Sequence, residues 1–223
     1  TMLVGSLGVV GSLRLRIGAA YLVLMSSGML FVAFSLAQPG TIAAGLYYLP
    51  HSCFAAAAMF LIAHIVQRER GRAGDRVLPT APPMPAVTGV LYMIAALLLI
   101  GLPPLSGFVG KFLLLGAVPA ADTGWVYATV LGSGLLALIG LSRTGSRLFW
   151  RTGRDEPRDA DADGPRVRPQ EIAATVILLG YGVAMSLAPS PVLRYTSAAA
   201  EQLLSPQDYV RQVRETEPQL RAP

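Results

Sequence analysis

Charge is what this sequence has least of: Asp, Glu, Lys and Arg together make 14% of its 223 residues, against roughly 25% in ordinary soluble domains. That shortage excludes a water-soluble domain, and the 53% hydrophobic content with a mean hydropathy of +0.52 makes the bilayer the expected solvent. Cysteine is almost missing. Cys53 stands alone, which excludes an internal disulfide and a thiolate metal cluster, so no redox chemistry, metal or cofactor is expected. The sequence also lacks a Gly-rich phosphate cradle, a metal-ligand pair at helical spacing and a nucleophile with its base, so an enzyme is not expected. The basic residues that give a pI near 9.7 flank apolar runs and do not form a basic face with interleaved aromatics, which excludes nucleic acid as a partner.

What is present is a series of apolar runs separated by turn signals. They predict an all-α polytopic transmembrane bundle with spans at Ile17 to Ala37, Thr41 to Gln67, Val87 to Val118, Trp125 to Trp150 and Gln170 to Ala188. The apolar stretch from Thr1 to Ser12 is too short to span, since a span needs about 20 residues. It reads as the far end of a helix, and the chain as a piece of a longer protein with about five spans and a partial one. Gln38-Pro39-Gly40 is a tight connection; Gly71 to Pro85, with Pro79, Pro82, Pro83 and Pro85, and Asp155 to Pro169 read as solvated surface loops.

Arginine counting sets the orientation, because cytoplasmic loops carry the Lys/Arg excess. One side receives Arg14, Arg16, Arg68, Arg70, Arg72, Arg76, Arg147, Arg151, Arg154, Arg158, Arg166 and Arg168; the other receives Gln38 to Gly40, the Asp122 loop and the tail. The arginine side is expected in the cytoplasm of a bacterial cell with the C-terminus outside its inner membrane. Residues 1–189 form the bundle and 190–223 a surface tail, in which Val192 to Val213 suits an amphipathic helix, or a packing element that ties the last span down.

Lys111 is the single lysine and lies inside an apolar run, where an ammonium at bilayer depth costs at least roughly 2.5 kcal/mol. Either it has a task or it snorkels to the outer surface. The preceding Gly101-Leu-Pro-Pro-Leu-Ser-Gly-Phe-Val-Gly favours a task. Pro103 and Pro104 cannot both sit in an unbroken helix, so Val87 to Val118 is expected to be discontinuous, with the break at Pro103, Pro104, Ser106 and Gly107. Broken helices beside intramembrane charges are how transporters build ion sites. His51, after Pro50 in the second span, can relay protons near neutral pH or sit in a packed core donating to a carbonyl. His64 reads as an interfacial residue. Ser26, Ser27 and Ser52 read mostly as small packing residues able to bond across helices.

Three blocks together carry a resemblance: Leu46-Tyr-Tyr-Leu-Pro-His51-Ser, Ala57-Ala-Met-Phe-Leu, and Gly101-Leu-Pro-Pro-Leu-Ser-Gly-Phe-Val-Gly-Lys111. With Arg143 to Arg151 and Leu203 to Val210, they resemble the D subunits of the multisubunit monovalent-cation/proton antiporters, the Mrp (Pha) family. Its large subunits are related to the antiporter-like proton-pumping subunits of respiratory complex I. The resemblance implies about fourteen spans in an intact subunit, built on inverted repeats, of which this chain matches roughly the last two-fifths. It implies partner subunits in a hetero-oligomeric complex, protons with Na+ or K+ as cargo, and a proton relay through Lys111 and His51. The alternative it leaves is a proton-pumping subunit of a complex I-like or hydrogenase assembly. Relatives commonly carry a lysine soon after the histidine, where this sequence has Ala56.

Overall fold

The computed structural model describes residues 1–78, 84–150, 167–205 and 207–215, with the side chains of Arg72, Asp208, Tyr209 and Gln212 outside the described set. These residues form nine α-helices: α1 (Met2–Gly11), α2 (Leu15–Ser35), α3 (Pro39–Glu69), α4 (Ala86–Ile100), α5 (Ser106–Gly116), α6 (Thr123–Gly145), α7 (Pro169–Leu187), α8 (Pro189–Leu204) and α9 (Gln207–Glu215). Among the described residues there is no strand, and a single β-bridge joins Arg14 to Arg76. Helices α2, α3, α6 with its π-helical extension to Trp150, and α7 are long and apolar enough to cross a membrane. The chain is a multi-pass helical bundle. Only helices keep every backbone polar group bonded within the segment in hydrocarbon, and the apolar runs have no other stable fold there.

The connection between α2 and α3 shows how local chemistry sets the boundaries. Pro39 pushes Gln38 to extended backbone (φ −99°, ψ 145°), and Ala37 takes a positive φ of 51°, so α2 closes at Ser35, before the predicted Ala37. Gln38 and Thr41 then exchange capping hydrogen bonds at the start of α3. At 31 residues, α3 is about 46 Å long against a hydrocarbon core of about 30 Å. It is the central post, touching α2, α4, α5, α7 and α8. Its buried face carries Ala55, Ala58, Met59, Ile62, Ala63 and Val66, packed with Leu22 and Met25 of α2 and Ala95 and Leu98 of α4. Small residues let the backbones approach, which drives helix association where lipid is as apolar as the protein. Tyrosines tie α3 to α7 and α4 to α6: Tyr47 donates to the Met185 carbonyl (3.0 Å) and Tyr92 to that of Leu141 (2.7 Å).

The arginines gather at one end. Arg16 donates to Gln67 Oε1 at 3.2 Å, Arg68 pairs with Glu171 at 3.4 Å, and Arg70 donates to the Arg76 and Leu78 carbonyls. Residues 79–83 and 151–166 of the predicted surface loops, and with them Arg151, Arg154, Arg158 and Arg166, lie outside the described residues.

The tail departs from expectation. A single helical segment from Val192 to Val213 is replaced by α8, starting already at Pro189, and α9. The break falls at Ser205 (φ −115°, ψ 69°), the residue before Pro206, where proline disfavours helical backbone. Helix α8 seats Ala200, fully buried, against Ile42 and Ala43 at the start of α3. It is thus packed on the bundle at the end away from the arginines.

Candidate functional site

The expected discontinuity lies between α4 and α5, and its mechanism is a glycine stop. Gly101 takes the left-handed conformation (φ 78°, ψ 54°), and the N–H groups of Gly101 and Leu102 both return to the Leu97 carbonyl. The Pro103–Pro104 bond is cis, and both prolines are exposed in the connection, outside either helix. Ser106 and Gly107, both buried, open α5. The fold therefore brings a helix C-terminus and a helix N-terminus face to face inside the bundle, with partial negative charge at the first and positive at the second.

Lys111 sits in the second turn of α5 and reaches back toward the break, as helical side chains do. Its Nζ donates to the Ile100 carbonyl at 2.5 Å, the last of α4. A cation there complements the helix terminus and bonds a carbonyl that the break frees. The snorkelling alternative needs the ammonium to turn toward the other end of α5, opposite to where it lies. On its remaining side Nζ faces α6 at Gly134, whose Cβ, if it had one, would stand 3.9 Å away.

His51, 1% exposed on α3, faces the other terminus. Its Nδ1 is 2.8 Å from Ser106 Oγ, across 55 residues of sequence. Its Nε2 has no hydrogen-bond partner among the described residues and points at Gly107, where a Cβ would lie 2.9 Å from it and 2.2 Å from the Leu98 carbonyl oxygen. Glycine is required at 107 for this approach. Gly101 and Gly107 are themselves in backbone contact, a Cβ on Gly101 meeting Gly107 at 3.0 Å and Lys111 Cδ at 3.1 Å. Lys111 and His51 thus flank one glycine contact, and no direct hydrogen bond joins them among the described residues.

Two further groups complete the cluster. The Tyr48 ring lies 5.3 Å from the imidazole, and its hydroxyl is 3.3 Å from Ser26 Oγ on α2. Ser26 does bond across helices, whereas Ser27 and Ser52 donate back to Val23 and Leu49 of their own helices. Sequence reasoning passed over Tyr48; its signal is the i, i+3 spacing to His51, which puts both on one face of α3. His64 lies at the arginine end, accepting from Arg68 Nε at 3.0 Å, remote from this cluster. Ala56 is partly buried further along α3 and offers no polar atom to it. The arrangement supplies two basic groups, three hydroxyls and two helix termini inside an apolar bundle, which suits binding and passing protons.

A family model described as the transmembrane part of NADH:quinone oxidoreductase and Mrp antiporter subunits matches residues 1–137, more than half of the chain. The chain belongs to this family. The D subunit of a probable K(+)/H(+) antiporter from Rhizobium meliloti (strain 1021) is 36% identical over 238 residues, covering 92% of this chain and 42% of the relative. The D subunit of the Na(+)/H(+) antiporter from Alkalihalophilus pseudofirmus is 28% identical over 219 residues, covering 96% of this chain and 42% of the relative. This family member therefore spans about two-fifths of the length of these curated relatives. In three dimensions it superposes on a chain of the Mrp complex from Dietzia sp. DQ12-45-1b with a TM-score of 0.80 at 24% identity, over 96% of its own length and 47% of that chain. The Mrp-like membrane fold is thereby established.

Proposed function

We propose that this chain is part of a proton-translocating subunit of a multisubunit Na+ or K+/H+ antiporter, with Lys111 and His51 as relay groups. The observation that carries the reading is the pair of basic side chains set on the two facing helix termini of one broken helix. The names of the two antiporter relatives support the antiporter class. In this reading Lys111 exchanges protons with the side of the membrane toward which α5 runs, and water carries them past the Gly101–Gly107 contact to His51. Low dielectric makes the charge on either group strongly felt by the other and by neighbouring subunits, which is how proton movement would be linked to cation movement. The chain acts as a transporter subunit and not as an enzyme, in the inner membrane of a bacterial cell, with other subunits of a hetero-oligomeric complex and lipid as its neighbours.

The test is cation-dependent proton exchange in vesicles holding the complete assembly with the full-length subunit. Ser106→Ala removes the hydroxyl that positions the His51 ring. A buried hydrogen bond contributes about 1 kcal/mol, so exchange is expected to slow about fivefold with assembly unchanged. An unaltered rate would take the His51–Ser106 contact off the path. The family description also includes NADH:quinone oxidoreductase subunits, which favours a respiratory proton pump as the second reading. Co-purification of quinone or redox partner chains would select it.

Orientation belongs to the same proposal: the arginine end faces the cytoplasm, residues 1–189 form the membrane bundle, and 190–223 form a tail on the outer side. The packing of α8 on the start of α3, at the end opposite the arginines, supports it. With Cys53→Ser as background, Arg76→Cys is expected to react with an impermeant maleimide from the cytoplasmic side, and Ala121→Cys from outside. The reverse pattern would invert the topology.

A further inference from the structure

A cavity of about 590 Å³ opens between α2 and α3 at the arginine end, lined by Arg14, Arg16, Tyr21, Leu24, Phe60 and Gln67 among others, a size within the roughly 300–1,000 Å³ of small-ligand sites. Its walls are sorted by depth. Ile17, Ala20, Tyr21 and Leu24 follow one another at helical spacing down one face of α2, opposite Phe60 of α3, and form an apolar trough. Arg14 and Arg16 stand at its mouth with Gln67. From Arg16 to Leu24 the trough runs about 12 Å along the helix, most of the roughly 15 Å of hydrocarbon in one leaflet.

The charges at the mouth are arranged for an anion that is not part of the described protein. Asp75, the carboxylate at the groove, is buried and already committed: its Oδ2 accepts the Arg16 backbone N–H at 3.1 Å, and its main-chain carbonyl accepts that of Leu15 at 2.9 Å. It therefore caps the first turn of α2 and occupies the positive helix terminus itself. Its charge also interacts with Arg70. The Arg16 guanidinium donates to the neutral Gln67 amide oxygen, and among the described residues no carboxylate pairs with Arg14 or Arg16. Two guanidiniums at the head of an apolar trough complement a ligand with an anionic head and a hydrocarbon tail. Basic pockets between transmembrane helices on the cytoplasmic side are known to take such head groups.

We propose that this groove binds an anionic glycerophospholipid, its phosphate held by Arg14 and Arg16 and one acyl chain laid along Ile17, Ala20, Leu24 and Phe60. The inference does not rest on the antiporter reading, and its test reads lipid occupancy, not transport. The complete assembly with the full-length subunit is placed in phosphatidylcholine nanodiscs containing a small fraction of phosphatidylglycerol with a photoactivatable acyl chain, and labelled peptides are mapped. Labelling is expected on the segments around Leu24 and Phe60, competed by unlabelled phosphatidylglycerol and not by inorganic phosphate. Since each arginine near the surface adds to the attraction for anionic lipid, the Arg14→Gln/Arg16→Gln variant should label at least about tenfold less. Ala20→Phe, which fills the trough and keeps both arginines, should also lose label. Equal labelling by photoactivatable phosphatidylcholine, competition by inorganic phosphate, label indifferent to the arginines, or no label because a further segment or subunit fills the groove would each overturn the proposal.

Discussion

Lys111→Ala is expected to reduce cation-dependent proton exchange more than tenfold, to the level of vesicles lacking the complex, at matched amounts of assembled protein. The expectation follows from where Nζ lies, bonded to the last carbonyl of α4 inside the bundle. Alanine removes the titratable group and also strands that carbonyl, and a lost hydrogen bond to a charged group costs about 1.5–3 kcal/mol. Those two effects are separable. Lys111→Gln keeps an N–H donor, one atom shorter, and cannot pick up or release a proton in the working range. It should assemble as the unaltered subunit does and still fail to exchange. If the glutamine variant exchanges at the unaltered rate, Lys111 is a helix cap and the relay must be sought elsewhere.

The second large effect belongs to a residue with no side chain. A methyl group at Gly107 would stand 2.2 Å from the Leu98 carbonyl oxygen and 2.9 Å from His51 Nε2. The first of these is backbone and cannot rotate away, so α5 would have to leave α4. Overpacking of this kind costs about 1–3 kcal/mol and more where the backbone must move. Gly107→Ala is expected to lower the yield of assembled complex severalfold and to abolish exchange in what assembles. Gly116→Ala, at the far end of the same helix with open space around the new methyl, should be indistinguishable from the unaltered subunit in both measurements. Equal behaviour of the two variants would show that the close approach of α4 and α5 is not needed.

The helices could be read from the chain because their signal is length: an uncharged run of about 20 residues has one stable conformation in hydrocarbon. Their ends were harder, since α2 stops where Ala37 turns to positive φ and α8 stops at Ser205, the residue before a proline, backbone effects that run length does not register. Lys111 and His51 stood out because ionisable groups are costly in an apolar run. Their partners did not. The acceptor of Lys111 is a main-chain carbonyl, which has no letter of its own, and Ser106 was visible as part of the helix break but not as a neighbour of a histidine 55 residues away. The two prolines announced the break, yet Gly101 makes it, and they lie exposed beyond the helix end.

The identity of the group holding His51 has its own consequence. Had Nδ1 been bonded to a carbonyl, it would be fixed as N–H, and the ring would have one allowed tautomer. A serine hydroxyl both donates and accepts, and its hydrogen turns freely about the C–O bond. Ser106 can therefore satisfy Nδ1 whether or not that atom carries hydrogen. In the relay proposed above, a proton gained at Nε2, on the Gly107 side, would leave Nδ1–H donating to the hydroxyl, with the imidazole plane unmoved in its packed slot. The serine leaves either tautomer of the histidine satisfied in place.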